Sequence, residues 1–100
     1  MSNKLENTEQ RIRALLARMT SLGAMRPGTL SVQYRDPARK KTPFYQLSYT
    51  HQGKSRSEYV RPESLSPIRR EVQTYREFRR LIEQVTALSL QASRLRHKRK

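Results

Sequence analysis

The sequence predicts an α+β chain in the order α-β-β-β-α: a three-stranded antiparallel sheet packed on a long C-terminal helix, with the N- and C-terminal helices pairing as an antiparallel, coiled-coil-like stalk. Three patterns carry this expectation. The stretch Phe44 to Val60 alternates apolar and polar residues about a Gln52–Gly53 tip, as a β-hairpin does. The segment before it, Leu30, Val32 and Tyr34 with Thr29, Ser31, Gln33 and Arg35 between them, repeats the alternation. An apolar 3-4 seam lies at each end of the chain. The expected organisation is an amphipathic helix over 1–25, a sheet over 26–62 with a basic loop at 35–43, a long helix over 63–95 and a basic tail at 96–100.

The first helix starts near Asn3, whose side chain can cap it with Glu6 three residues on. It ends near Gly23. Leu5, Thr8, Ile12, Leu15, Met19 and Leu22 form the seam, and Leu16 widens it. This pattern serves a helix packed on its own domain as well as a dimer interface, so both readings stay open. In the hairpin, Gly53 can take the positive φ that the turn requires. The register then places Thr50 opposite Ser55, Tyr49 opposite Arg56, Leu47 opposite Glu58 and Tyr45 opposite Val60. Leu30, Val32, Tyr34, Tyr45, Leu47, Tyr49 and Val60 share one face, which a helix must cover. The other face collects Gln33, Gln46, Ser48, Thr50, Ser55, Ser57 and Tyr59.

Asp36 to Pro43 reads as a loop or extended connection that exposes Arg39, Lys40 and Lys41. The second helix is expected to start at Ser66–Pro67, with serine as cap and proline at the first helical position. Ile68, Val72, Tyr75 and Phe78 suit a helix lying across the sheet. Beyond them, Phe78, Leu81, Val85, Leu88, Ala92 and Leu95 form the second seam, expected to run antiparallel to the first with Leu22 near Phe78 and Leu5 near Leu95.

Composition narrows the function. A chain of 100 residues with 34% hydrophobic residues, no Trp and two Phe makes one domain with a small core. The absence of cysteine excludes disulfides and thiolate metal sites, and two histidines cannot supply a structural zinc site. No apolar run approaches the ~18 residues of a membrane span, and MSNKLENTEQ has no signal-peptide core, so a cytoplasmic protein that does not engage membranes is expected. The net charge of +14 asks for a polyanion. Residues 1–34 carry five basic and two acidic side chains, residues 35–61 seven and two, and residues 62–100 ten and four, so the excess is not confined to a tail.

No catalytic residue, metal site or cofactor is expected. Asp36 is the only aspartate, the glutamates are scattered, and no Ser-His-Asp grouping, HExxH motif or glycine-rich phosphate loop is present. The basic groups say more. Arg69 and Arg70 fall in the first turn of the expected helix, where the dipole favours an anion, so a bound phosphate would offset an otherwise unfavourable placement. Arg35, Arg39, Lys40 and Lys41, with Lys54 and Arg56 at the hairpin, can reach phosphates on either side of the polar sheet face. On that face Gln46 and Ser48 can meet base edges, and Tyr59 can meet a base or ribose. Each group has a plainer reading as a solvated surface.

GTLSVQY at 28–34, PFYQLSYTHQGKSRSEYVRPESL at 43–65 and VQTYREFRRL at 72–81 resemble a family of short uncharacterised bacterial and archaeal proteins associated with mobile genetic elements. The likeness covers about half the chain. That family carries a CGKxxCxC cluster between the first strand and the hairpin, where this chain has Asp36 to Thr42, so the resemblance implies no metal site here. More loosely, three strands followed by a helix resemble the sheet-type DNA-binding domains of tyrosine recombinases, in architecture alone.

The sequence therefore points to a small basic nucleic-acid-binding protein, DNA slightly ahead of RNA, acting as an accessory factor of a mobile element or nucleoprotein complex. The alternative is an adaptor that dimerises or docks on a larger protein through Leu5, Ile12, Leu15, Met19, Leu22, Phe78, Leu81, Val85, Leu88 and Leu95. A small ribonuclease toxin ranks last.

Overall fold

The computed structural model describes residues 3–98. Its elements are α1 (Lys4–Thr20), β1 (Thr29–Asp36), β2 (Lys41–His51), β3 (Lys54–Val60) and α2 (Pro62–Arg96). The expected order is observed, with one antiparallel sheet in the order β1-β2-β3. The chain divides into two units: residues 24–75 hold the sheet and the first part of α2, and residues 1–23 with 76–100 hold α1 and the rest of α2.

In the sheet unit, the turn fixes the ladder as expected. Gln52 and Gly53 both have positive φ, at 52° and 78°, the requirement of a two-residue type I′ hairpin. Thr50 pairs with Ser55, Tyr49 with Arg56, Leu47 with Glu58 and Tyr45 with Val60. Leu47, Val60 and Val72 are buried together, and Leu30, Tyr45, Tyr49, Leu65 and Ile68 pack around them. The first part of α2 is therefore what covers the apolar face. Val32 departs from expectation: at 43% exposed it lies outside that cluster, because the covered area stops at Leu30 on the edge strand β1.

Two boundaries differ from the sequence reading. Helix α2 starts at Pro62 and carries Pro67 inside it. Pro62 takes the first helical position, where a missing N–H costs nothing, and Glu63 meets the positive end of the dipole. The earlier start brings Leu65 into the core. It also removes Arg69 and Arg70 from the first turn, so the dipole argument for a phosphate beside them does not hold. The loop expected at 35–43 is a four-residue turn, because β1 continues to Asp36 and β2 begins at its partner Lys41. Pro43 is tolerated within β2 because β3 pairs only from Tyr45 onward, leaving that side of β2 an edge.

In the helical unit, α1 and residues 76–96 of α2 run antiparallel, as ion pairs near both ends require: Arg18 Nη2 lies 3.0 Å from Glu77 Oε2, and Arg96 Nη2 lies 3.1 Å from Glu9 Oε2. Leu81, Leu88 and Ala92 are buried, as is Thr8, whose hydroxyl donates to the Lys4 carbonyl at 2.8 Å. Leu5, Ile12, Leu15, Met19, Leu22, Phe78, Val85 and Leu95 are half-buried. Both seams are thus occupied within the chain. The expected side-chain cap is not made: Asn3 gives no cap hydrogen bond, and its carbonyl accepts from the Asn7 N–H at 2.7 Å. Helix α1 ends at Thr20, before Gly23. Of the expected tail at 96–100, Arg96 ends α2, and Arg99 and Lys100 lie outside the described residues.

Candidate nucleic-acid interface

Alternation along a strand assigns each side chain to a face. The ladder rows Gln33–Phe44, Ser31–Gln46–Tyr59, Thr29–Ser48–Ser57 and Thr50–Ser55 form the outward face. It is small and hydroxyl-rich. Ser48 Oγ and Ser57 Oγ are 3.2 Å apart, Thr50 Oγ1 and Ser55 Oγ are 3.3 Å apart, and Gln33 Nε2 donates to Ser31 Oγ at 3.3 Å. Tyr59 stands 59% exposed opposite Gln46.

Phe44 shares this face. It was not among the residues expected to bind, although its parity with Gln46 and Ser48 places it outward. The Arg35 guanidinium sits over its ring, with Cζ 5.6 Å from the centroid, within cation–π range.

The basic turn adjoins this end of the sheet. Asp36 Oδ1 accepts from the Arg39 N–H at 3.4 Å and the Pro37 carbonyl accepts from the Lys40 N–H at 3.3 Å, a compact turn that Lys40 closes with φ of 53°. Arg39, Lys40 and Lys41 are all exposed. One side-chain and one backbone acceptor thus shape the turn that presents Arg39 and Lys40.

Not every expected residue joins them. Arg56 pairs with Tyr49, and alternation puts it on the helix-covered side of the sheet, away from Gln46 and Ser48. Lys54 lies at the opposite hairpin tip, beside His51. Ten residues of β2 separate that tip from Lys41, roughly 33 Å at ~3.3 Å per residue. Arg69 and Arg70 lie on α2, beyond the core from the outward face, and Arg70 Nη1 donates to Ser66 Oγ at 3.3 Å. The structure therefore gathers Arg35, Arg39, Lys40, Gln46 and Tyr59 toward one end of the outward face, sets Lys41 at that same end but by alternation on the side of Pro43 and Tyr45, and leaves Ser48 farther along the outward face. Lys54, Arg56, Arg69 and Arg70 fall elsewhere.

On the covered side, Glu58 shares a row with buried Leu47 and is held by two partners. Tyr49 Oη donates to Glu58 Oε2 and Arg26 Nη2 donates to Glu58 Oε1, each at 2.7 Å. The Arg26 guanidinium also lies 5.1 Å from the Tyr49 ring centroid, and its backbone N–H donates to the Glu71 carbonyl at 3.0 Å. The bond from Tyr49, then that from Arg26, holds the Glu58 carboxyl below its usual range. The same bond to Glu58 pushes the Tyr49 phenol up, and the bond to Glu58 raises Arg26 further. Through these bonds the cluster ties Arg26, in the segment before β1, to β2, β3 and α2.

Among the described residues no three histidine or acidic side chains gather as a metal site would need, and no helix is long and apolar enough to cross a membrane. The chain matches no curated protein and no solved structure. It does match one family over residues 4–74, from the start of α1 through the strands into α2. By that match the chain belongs to the family described as the domain of unknown function DUF6788.

Proposed function

We propose that this protein binds nucleic acid, largely through phosphates and with DNA slightly ahead of RNA, using the basic turn Arg39 to Lys41 and the adjoining end of the outward sheet face. One observation carries the reading: exposed Arg39 and Lys40 on a turn closed by hydrogen bonds to Asp36 and Pro37, with exposed Lys41 opening β2, adjoin a polar face bearing Arg35 and Tyr59. A net charge of +14 spread over the chain supplies long-range attraction for the same ligand. The part played in a cell, as an accessory factor of a mobile element or nucleoprotein complex, rests on the sequence resemblance alone.

The competing adaptor reading has less support, because the seams of α1 and α2 face each other within the helical unit, although among the residues expected to dock only Leu81 and Leu88 are buried. Replacing Arg39, Lys40 and Lys41 together by Ala tests the proposal by polarisation titration at several salt concentrations. Each phosphate contact contributes ~0.7 to the salt slope on single strands, so losing three lowers its magnitude by about two. Unchanged affinity and slope would overturn the assignment.

A further inference from the structure

We propose that the outward face takes nucleic acid as a single strand, with bases stacked at Phe44 and Tyr59 beneath a backbone held by Arg35 and the basic turn. This deepens the binding proposal above and rests on it. Three features of the face carry it.

The first is the exposure of the rings. Tyr59 is 59% exposed, and Phe44 is half-buried with the Arg35 guanidinium over its ring. Phe44 is two residues from Gln46, the ladder partner of Tyr59, so the two rings stand on a diagonal, ~7–8 Å apart at the backbone. Base faces are hidden inside a duplex and become available only when a strand is unpaired. Exposed rings on a binding face therefore gain most from single strands.

The second is the shortage of donors. Each serine or threonine pair, Ser48 with Ser57 and Thr50 with Ser55, spends one hydroxyl hydrogen within the sheet. Reading duplex base edges needs several aimed donors and acceptors, and bidentate arginine is the commonest of them. The paired rows of this face contain no arginine; exposed Arg61 follows Tyr59 by two residues at the same end, and Arg35, two residues beyond Gln33, already lies over Phe44. A guanidinium in that position can stack on a base itself or swing to a phosphate.

The third is the distribution of charge. The cations adjoin one end of the face, at Arg35 and Arg39 to Lys41, while Lys54 marks the far hairpin tip. Between them β2 offers an uncharged, hydroxyl-lined track. A flexible strand can lay its bases on the rings and its phosphates beside the turn.

The test is a polarisation titration of the full chain with oligonucleotides of matched length: single-stranded DNA, single-stranded RNA and duplex DNA at one salt concentration. Single strands of either kind should bind more tightly than the duplex, and the two single-strand arms rank DNA against RNA. Tyr59→Ala should weaken single-strand binding about five- to 150-fold, the range that follows from ~1–3 kcal/mol per stacked base. Tyr59→Phe should keep the affinity, because it keeps the ring, and the Ala variant must hold the wild-type circular dichroism spectrum. Duplex bound more tightly than either single strand, or Tyr59→Ala binding single strands as wild type does, overturns the inference. If the basic-turn variant still lowers affinity in that event, phosphate binding stands and only stacking is lost. If no oligonucleotide binds at all, both proposals fall together.

Discussion

Leu47→Ala is the substitution that most directly probes how the sheet is held in place. Leu47 is the largest fully buried side chain, with no exposed surface, and it sits between Val60 of β3 and Val72 of α2. Its far side is closed by backbone: a Cβ built on Gly28, where φ is 142°, would come within 2.7 Å of Leu47 Cδ1 and 3.0 Å of the Ser48 carbonyl oxygen. Neighbours fixed by strand pairing and by a helix cannot collapse far into the vacated space, so the cost should fall toward the upper half of the ~2–5 kcal/mol seen for such truncations. A domain of this size has ~5–15 kcal/mol in all. At ~4–8 °C per kcal/mol, the midpoint should drop by about 14–40 °C. Thermal and urea unfolding followed by far-UV circular dichroism measure this, with Val32→Ala as the comparison, since Val32 is 43% exposed and should cost under ~0.5 kcal/mol. Equal losses for the two variants would refute the packing described for the helix-covered face of the sheet. Gly28→Ala should also destabilise, and Leu47→Ala should relieve it only in part, because the Ser48 carbonyl and the positive φ remain.

Other outcomes follow from the same structure. Pro67→Ala restores an N–H that can reach the Glu63 carbonyl in the second turn of α2, so it should stabilise by about 1 kcal/mol or more, bounded by the ~3 kcal/mol of an interior proline; a lower melting midpoint would count against a helix that starts at Pro62. Because its bonds to Tyr49 and Arg26 hold Glu58 below its ordinary value near 4.5, the carboxylate's contribution is present above that pH and is lost as pH falls through the depressed value. The difference in melting midpoint between wild type and Glu58→Gln should therefore be steady near neutrality and shrink below about pH 4.5; a gap that persists to pH 3 would show that the carboxylate's ionised form is not what matters.

Much of this fold was legible in the sequence because the decisive signals were local. Gln52–Gly53 fixed the β2–β3 register residue by residue, since a two-residue turn leaves no slack and a one-step slip would turn Leu47 outward. The two 3-4 seams pointed to antiparallel helices, and Glu9–Arg96 and Arg18–Glu77 now bracket that pair. The errors arose where two local signals competed. Ser66–Pro67 looked a better helix start than Arg61–Pro62–Glu63, yet tertiary packing of Leu65 beside Ile68 and Val72 favours the longer helix and tolerates a proline within it. Arg69 and Arg70 lost their presumed anion site through that one shift.

The binding surface was only half legible. Composition marked Arg39 to Lys41, and the hairpin register that placed Tyr59 outward had already set Arg56 opposite Tyr49 on the covered side, a consequence the charge count overrode; Lys54 is separated by distance along β2. Phe44 was passed over as the first residue of an apolar strand. The same alternation that buried Tyr45 and Leu47 should have turned it outward beside Gln46.

The most direct measurement is the dependence of oligonucleotide affinity on salt for the wild-type chain. With Arg35, Arg39, Lys40 and Lys41 each meeting one phosphate, log affinity for a single strand should fall against log salt with a slope near −3, at ~0.7 per contact. A flat response, or affinity too weak to measure at low salt, would mean that these ordered cations do not serve a polyanion.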